Sequence, residues 1–91
     1  MKPDEINENE TFRKESTSNG LKKVERILDD RFWELHYLNN RNEWHCLDGP
    51  AFISRDLKSG NYEEHFFIQG RRIEKDFKIE VLKYKLDLLK E

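Results

Sequence analysis

The chain predicts an α+β fold, a small antiparallel β-sheet of hairpin repeats (about four to five strands) packed with a C-terminal α-helix. Three observations predict it. Aromatic and β-branched runs recur between turns rich in Asn and Gly. Asp48-Gly49-Pro50 punctuates the middle of the chain, because Gly reaches φ > 0, Pro does not, and Asp can bond nearby backbone. Beyond Gly70 the apolar residues change from strand-like runs to helical spacing.

Asn19-Gly20 is a hairpin turn signal. Leu21 to Leu28 carries apolar residues at a spacing that also suits a helix, but the flanking turns favour a strand. Asp29-Asp30-Arg31 turns the chain. Phe32 to Leu38 then reads as a strand, with Trp33, Leu35 and Tyr37 on one face and Phe32, Glu34, His36 and Leu38 on the other. Asn39 to Asn42 turns again, since Asn tolerates the left-handed region. Trp44 to Leu47 is a short strand leading into Asp48-Gly49-Pro50, and Ala51 to Arg55 is another. Leu57 to Gly60 is a turn, Tyr62 to Gln69 is the clearest strand, and Gly70 closes it. Phe77, Val81, Tyr84 and Leu88 form an apolar helix stripe that Leu82 and Leu89 widen. That predicts a helix from about 74 to 90, roughly 25 Å long at 1.5 Å per residue.

Ninety-one residues, 40% of them charged and 35% hydrophobic, allow one domain with a small core. Residues 1 to 19 are expected as a flexible acidic and polar arm, with Phe12 their one aromatic residue. Residues 20 to 91 are the single α+β domain, strands over about 21 to 73. The net charge of −2 lacks the basic excess of a nucleic-acid binder. One cysteine, Cys46, forbids an internal disulfide and suits a reducing compartment. No apolar run approaches the ~18 residues of a membrane span, and the N-terminus lacks the apolar stretch of a secretory signal. A cytoplasmic protein without membrane partners is expected.

Tyr37-Leu38-Asn39-Asn40-Arg41 matches Phe67-Ile68-Gln69-Gly70-Arg71 at an offset of 30 residues. Each unit offers one apolar face and must pair with a neighbour to bury it. His36 to Arg41, His45-Cys46-Leu47-Asp48-Gly49-Pro50-Ala51 and Phe66 to Ile73 resemble the short repeats of many phage and giant-virus proteins. In those repeats a Trp-Tyr-Leu-Asn-Gly-Lys strand end is followed by His-Arg-x-Asp-Gly-Pro-Ala, in the style of MORN-type hairpins. Asn40 stands where the turn Gly is usual, Cys46 where Arg is, and His36 and Phe66 where Trp is. The resemblance spans about residues 32 to 77. It implies antiparallel repeats and a phage or viral origin, and no catalytic activity.

The residues themselves offer little chemistry. His36, His45, Cys46, Asp48 and His65 lack the close paired spacing of a zinc site, and adjacent His45 and Cys46 point apart if extended. A Cys46–His nucleophile pair lacks an oxyanion-stabilising element. Asp29-Asp30 and Glu63-Glu64 read as solvating charge, and no Gly-rich phosphate loop exists. No catalytic residue, metal or cofactor is assigned. Asp48, Gly49, Pro50 and Gly70 are structural turn residues. The candidate protein-binding residues are Trp33, Tyr37, Arg41, Trp44, Phe52, Tyr62, Arg71 and Arg72, since Trp, Tyr and Arg dominate interface hot spots. The expected function is a small non-enzymatic module that inhibits a host protein by steric occlusion, in its most concrete form an anti-CRISPR or other anti-defence inhibitor. A self-assembling module, with homodimerisation, is the alternative. A weak single-stranded nucleic-acid binder, using Lys22, Lys23, Arg26 and Arg31 with Trp33, comes third.

Overall fold

A computed structural model describes residues 8–90 of the chain. Six strands follow one another in space as they do in sequence: β1 (Glu10–Ser18), β2 (Leu21–Leu28), β3 (Phe32–Leu38), β4 (Phe52–Asp56), β5 (Tyr62–Ile68) and β6 (Arg71–Ile73). Every neighbouring pair is antiparallel. Helix α1 (Phe77–Leu89) follows. The α+β class is as expected, with more strands than the four or five anticipated.

The strands not anticipated are β1 and the short β6. Residues 10–18 were expected within a flexible arm, yet they pair along the whole length of β2. Asn19 and Gly20 make this possible: both have φ > 0, 51° and 80°, the signature of a two-residue turn whose twist matches antiparallel strands. The pairing satisfies backbone groups that the side chains alone could not order, and Phe12 lies opposite Ile27. Residues 1–7 of the expected arm lie outside the described residues. Gln69 and Gly70, at 50° and 79°, close β5 onto β6 in the same way.

Asp48-Gly49-Pro50 works differently. Gly49 does not have a positive φ, and the triplet forms a bend before β4 rather than the corner of a hairpin. Trp44 to Leu47 is not a strand either, since only Trp44 makes a bridge, to Leu38. The segment instead spans two strand ends. The His45 N–H donates to Tyr37 O (3.0 Å), and the Cys46 N–H donates to Phe67 O (3.2 Å).

The register assigns faces. His36 lies across from Phe52 and Phe52 across from His65, so equivalent rows of β3 and β5 are 29 positions apart. The sequence repeat has an offset of 30. It therefore sets turn on turn, but puts Tyr37 and Phe67 on opposite faces.

One face bears α1. There Ile68 and Ile73 form a small core with Val81, joined by Leu47, Phe66, Phe77 and Tyr84. The helix starts at Phe77 rather than near 74, because β6 runs to Ile73 and Asp76 is left-handed (φ 55°). Leu82 and Leu89 do not widen the packed stripe: they are 60% and 82% exposed. The opposite face carries the largest fully buried side chains, Val24, His36 and Leu38.

Candidate functional site

The polar and aromatic residues of the opposite face form one connected cluster. The Trp44 ring stacks near His36 (6.1 Å between centroids) and lies against Phe52 (5.7 Å) and Phe67 (5.0 Å). Phe52 in turn meets the edge of His36 at 4.7 Å. The Trp44 Nε1–H donates to His36 Nδ1 at 3.0 Å. Indole only donates, so Nδ1 is an acceptor and the proton sits on Nε2. That Nε2–H donates to Glu34 Oε1 (3.0 Å), which also accepts from Arg26 Nε (2.8 Å). Glu10 Oε1 lies 3.5 Å from Arg26 and accepts from Arg13 (2.8 Å).

This ladder links β1, β2, β3 and the segment after β3. Burial would raise the Glu34 carboxyl, but hydrogen bonds from His36 and Arg26 hold it below the usual carboxylate range. Among the described residues no buried side-chain nitrogen or oxygen lacks a hydrogen-bond partner. A cluster satisfied in this way specifies packing and strand register. Its geometry suits a structural role.

His45 and Cys46 are also packing groups. Cys46 is buried. The His45 ring meets the edge of Tyr84 at 5.4 Å, and its Nδ1 accepts the Gln69 backbone N–H at 2.9 Å. Burial pushes the His45 imidazole below its ordinary value, a shift partly opposed by Glu43. Among the described residues no three His, Cys, Asp or Glu side chains gather as a metal-ligand set.

The eight candidate binding residues do not form one patch. Trp33, Tyr37 and Tyr62 share the helix-bearing face, by the pleat and register. Trp33 is half-buried and donates to Glu25 Oε2 (2.8 Å), while Tyr62 is exposed and donates to Glu64 (2.6 Å). Trp44 and Phe52 belong to the cluster on the other face. Arg41 is exposed in the turn after β3. Arg71 pairs with Glu80 at 2.9 Å, and Arg72 lies 3.9 Å from Glu74. Gly70 holds a positive φ at its turn, whereas Asp48, Gly49 and Pro50 line an open cavity.

A shallow cavity of about 330 Å³ lies on the helix-bearing face, with Leu21, Tyr37 and Ile53 on strands and residues 45–50 along its rim. It is open and mixed in character, without convergent charge. The basic-aromatic strip considered for nucleic acid is not continuous. Lys22 and Arg26 lie on the opposite face from Lys23 and Trp33. Lys22 pairs with Glu15, Arg26 with Glu34 and Arg31 with Asp56.

A further exposed apolar feature joins Leu82 and Leu89, expected in the packed stripe, to Ile79 and Leu86, which were not singled out from the sequence. Ile79, Leu82, Leu86 and Leu89 of α1 are 51%, 60%, 56% and 82% exposed. The signal was present as a second spacing, three-four-three, on the other side of the helix from the packed residues Phe77, Val81 and Tyr84. Compared with protein-family models, curated proteins and solved structures, the chain matches none.

Proposed function

We propose that the chain is a small protein-binding module that acts by covering a surface of its partner. One observation carries this reading. Of the nine exposed large hydrophobic residues among the described residues, five, Ile79, Leu82, Leu86, Leu88 and Leu89, are gathered on one short helix, while Phe12, Phe32, Leu57 and Tyr62 lie singly elsewhere. In a chain that is 40% charged, such gathering marks a surface meant to be covered. The polar clusters support it from the other side, because their hydrogen bonds are internal and serve packing. The finer form, a phage-encoded inhibitor of a host protein of the anti-CRISPR or anti-defence kind acting in the host cytosol, draws its support from the repeat resemblance.

The test is affinity capture from a bacterial lysate with the full chain as bait, followed by reconstitution of the purified pair. A partner recovered in stoichiometric amount that forms a defined complex in sedimentation supports the reading. Recovery of no such partner from any candidate host argues against it.

A further inference from the structure

Helix α1 is apolar on two opposite sides. Phe77, Val81 and Tyr84 face the sheet. At about 100° per residue, Ile79, Leu82, Leu86 and Leu89 lie on the far side of the helix, in a stripe roughly 80° wide. Their spacing is that of the a and d positions of a coiled-coil seam. The flanking e and g positions are Lys78, Lys83, Lys85 and Lys90. All four are exposed and basic. The acidic residues of the helix, Glu80 and Asp87, project nearer the sheet, where Glu80 meets Arg71. Lys83 also lies 3.6 Å from Glu80, a solvent-exposed pairing at i,i+3 that leaves it accessible to a partner.

We infer that this stripe docks an acidic amphipathic helix of a partner protein, one with apolar residues at a and d and Glu or Asp beside them. The inference rests on the protein-binding reading and gives it a place and a chemistry. Charge selects the occupant. Two copies of this chain joined through the stripe would set lysine rows against lysine rows in either orientation, which repels. An acidic helix would meet the lysines on both sides of the seam. An anionic lipid surface would also meet lysines, but a stripe this narrow suits a helix seam better than the broad apolar face of an interfacial helix. The helix is only Phe77–Leu89, so the seam is short and binding through it alone is weak.

The test uses the full chain and two labelled peptides of three heptads, both with Leu at a and d. One carries Glu at e and g, the other Lys. In fluorescence anisotropy at low salt the Glu peptide binds, at least about tenfold tighter than the Lys peptide. Raising the salt weakens it several-fold. The double variant L82Q/L86Q abolishes it, and because both residues are exposed the variant keeps the wild-type melting curve. The inference is overturned if the Glu peptide fails to bind, if the Lys peptide binds as well, or if L82Q/L86Q binds normally. It is also overturned if the wild type dimerises through the stripe, or sediments with phosphatidylserine vesicles in place of binding peptide. A partner still captured by L82Q/L86Q removes the stripe but leaves the protein-binding reading; no partner for either protein removes that reading.

Discussion

Replacing Trp44 with Phe isolates the hydrogen bond at the centre of the buried cluster. Phenylalanine keeps a ring against Phe52 and Phe67 but has no N–H for His36 Nδ1, which now receives one at 3.0 Å. His36 is 1% exposed, so water does not replace the lost donor. An acceptor stranded in this way costs about 1–3 kcal/mol. The smaller ring gives up roughly 40 Å² of apolar burial, about 1 kcal/mol at ~25 cal/mol per Å². The sum is on the order of 3 kcal/mol, a large share of what a small domain has. In a urea titration followed by far-UV circular dichroism, the midpoint falls by about 2 M or more, for a slope near 1 kcal/mol/M. The melting temperature falls by at least about 10 °C. A W44F protein within about 0.5 kcal/mol of wild type would refute the assignment of the Nδ1 acceptor and of the cluster as the organising core.

Two further perturbations follow from the turns and from His45. The folded His45 imidazole protonates less readily than in the unfolded chain, first because burial penalises the cation. The unfolded state therefore takes up the proton first as the pH falls. Stability from this group is complete above ~6.5 and declines below it, until the folded imidazole itself protonates. Unfolding measured between about pH 7.5 and 5 shows a shallower pH slope in H45N than in wild type; equal slopes would remove His45 as a source. Keeping above ~4.5 leaves Glu34 charged, since its contribution is lost only at lower pH. At the turn between β2 and β3, Asp30 sits at φ 53°, a region that costs L-residues and not Gly. Asp30→Gly raises stability by up to ~1 kcal/mol in the same titration, and a loss instead would mean that the Asp30 side chain holds the turn.

The α+β class, β3 and the polar turns were legible because each is written locally. Phe32–Leu38 alternates faces as its sequence predicts, and Asn19-Gly20 is a hairpin turn in residue choice and in dihedral angles. What was not legible depends on partners distant in sequence. Glu10–Ser18 has almost no apolar content, and it becomes β1 because β2 offers a free edge through that turn. The 30-residue repeat is real as a pattern of turns, but one position of register separates it from the rows of the sheet. Among the candidate binding residues, Trp44 and Phe52 were chosen for residue type. Their partial burial follows from where residues 43–46 cross the ends of β3 and β5. The outer stripe of α1 was visible as spacing. Without knowing which side met the sheet, Leu82 and Leu89 could not be separated from Phe77 and Val81.

The central claim is that the outer side of α1 is where this protein meets its partner. Titrating the isotopically labelled full chain with the Glu-flanked peptide, and following backbone amide shifts by NMR, tests it residue by residue. The account predicts shifts concentrated at Lys78, Ile79, Leu82, Lys83, Lys85, Leu86, Leu89 and Lys90, with β1 to β4 unchanged. Shifts centred on Trp33, Tyr37 and Tyr62, or no shifts at saturating peptide, would contradict it.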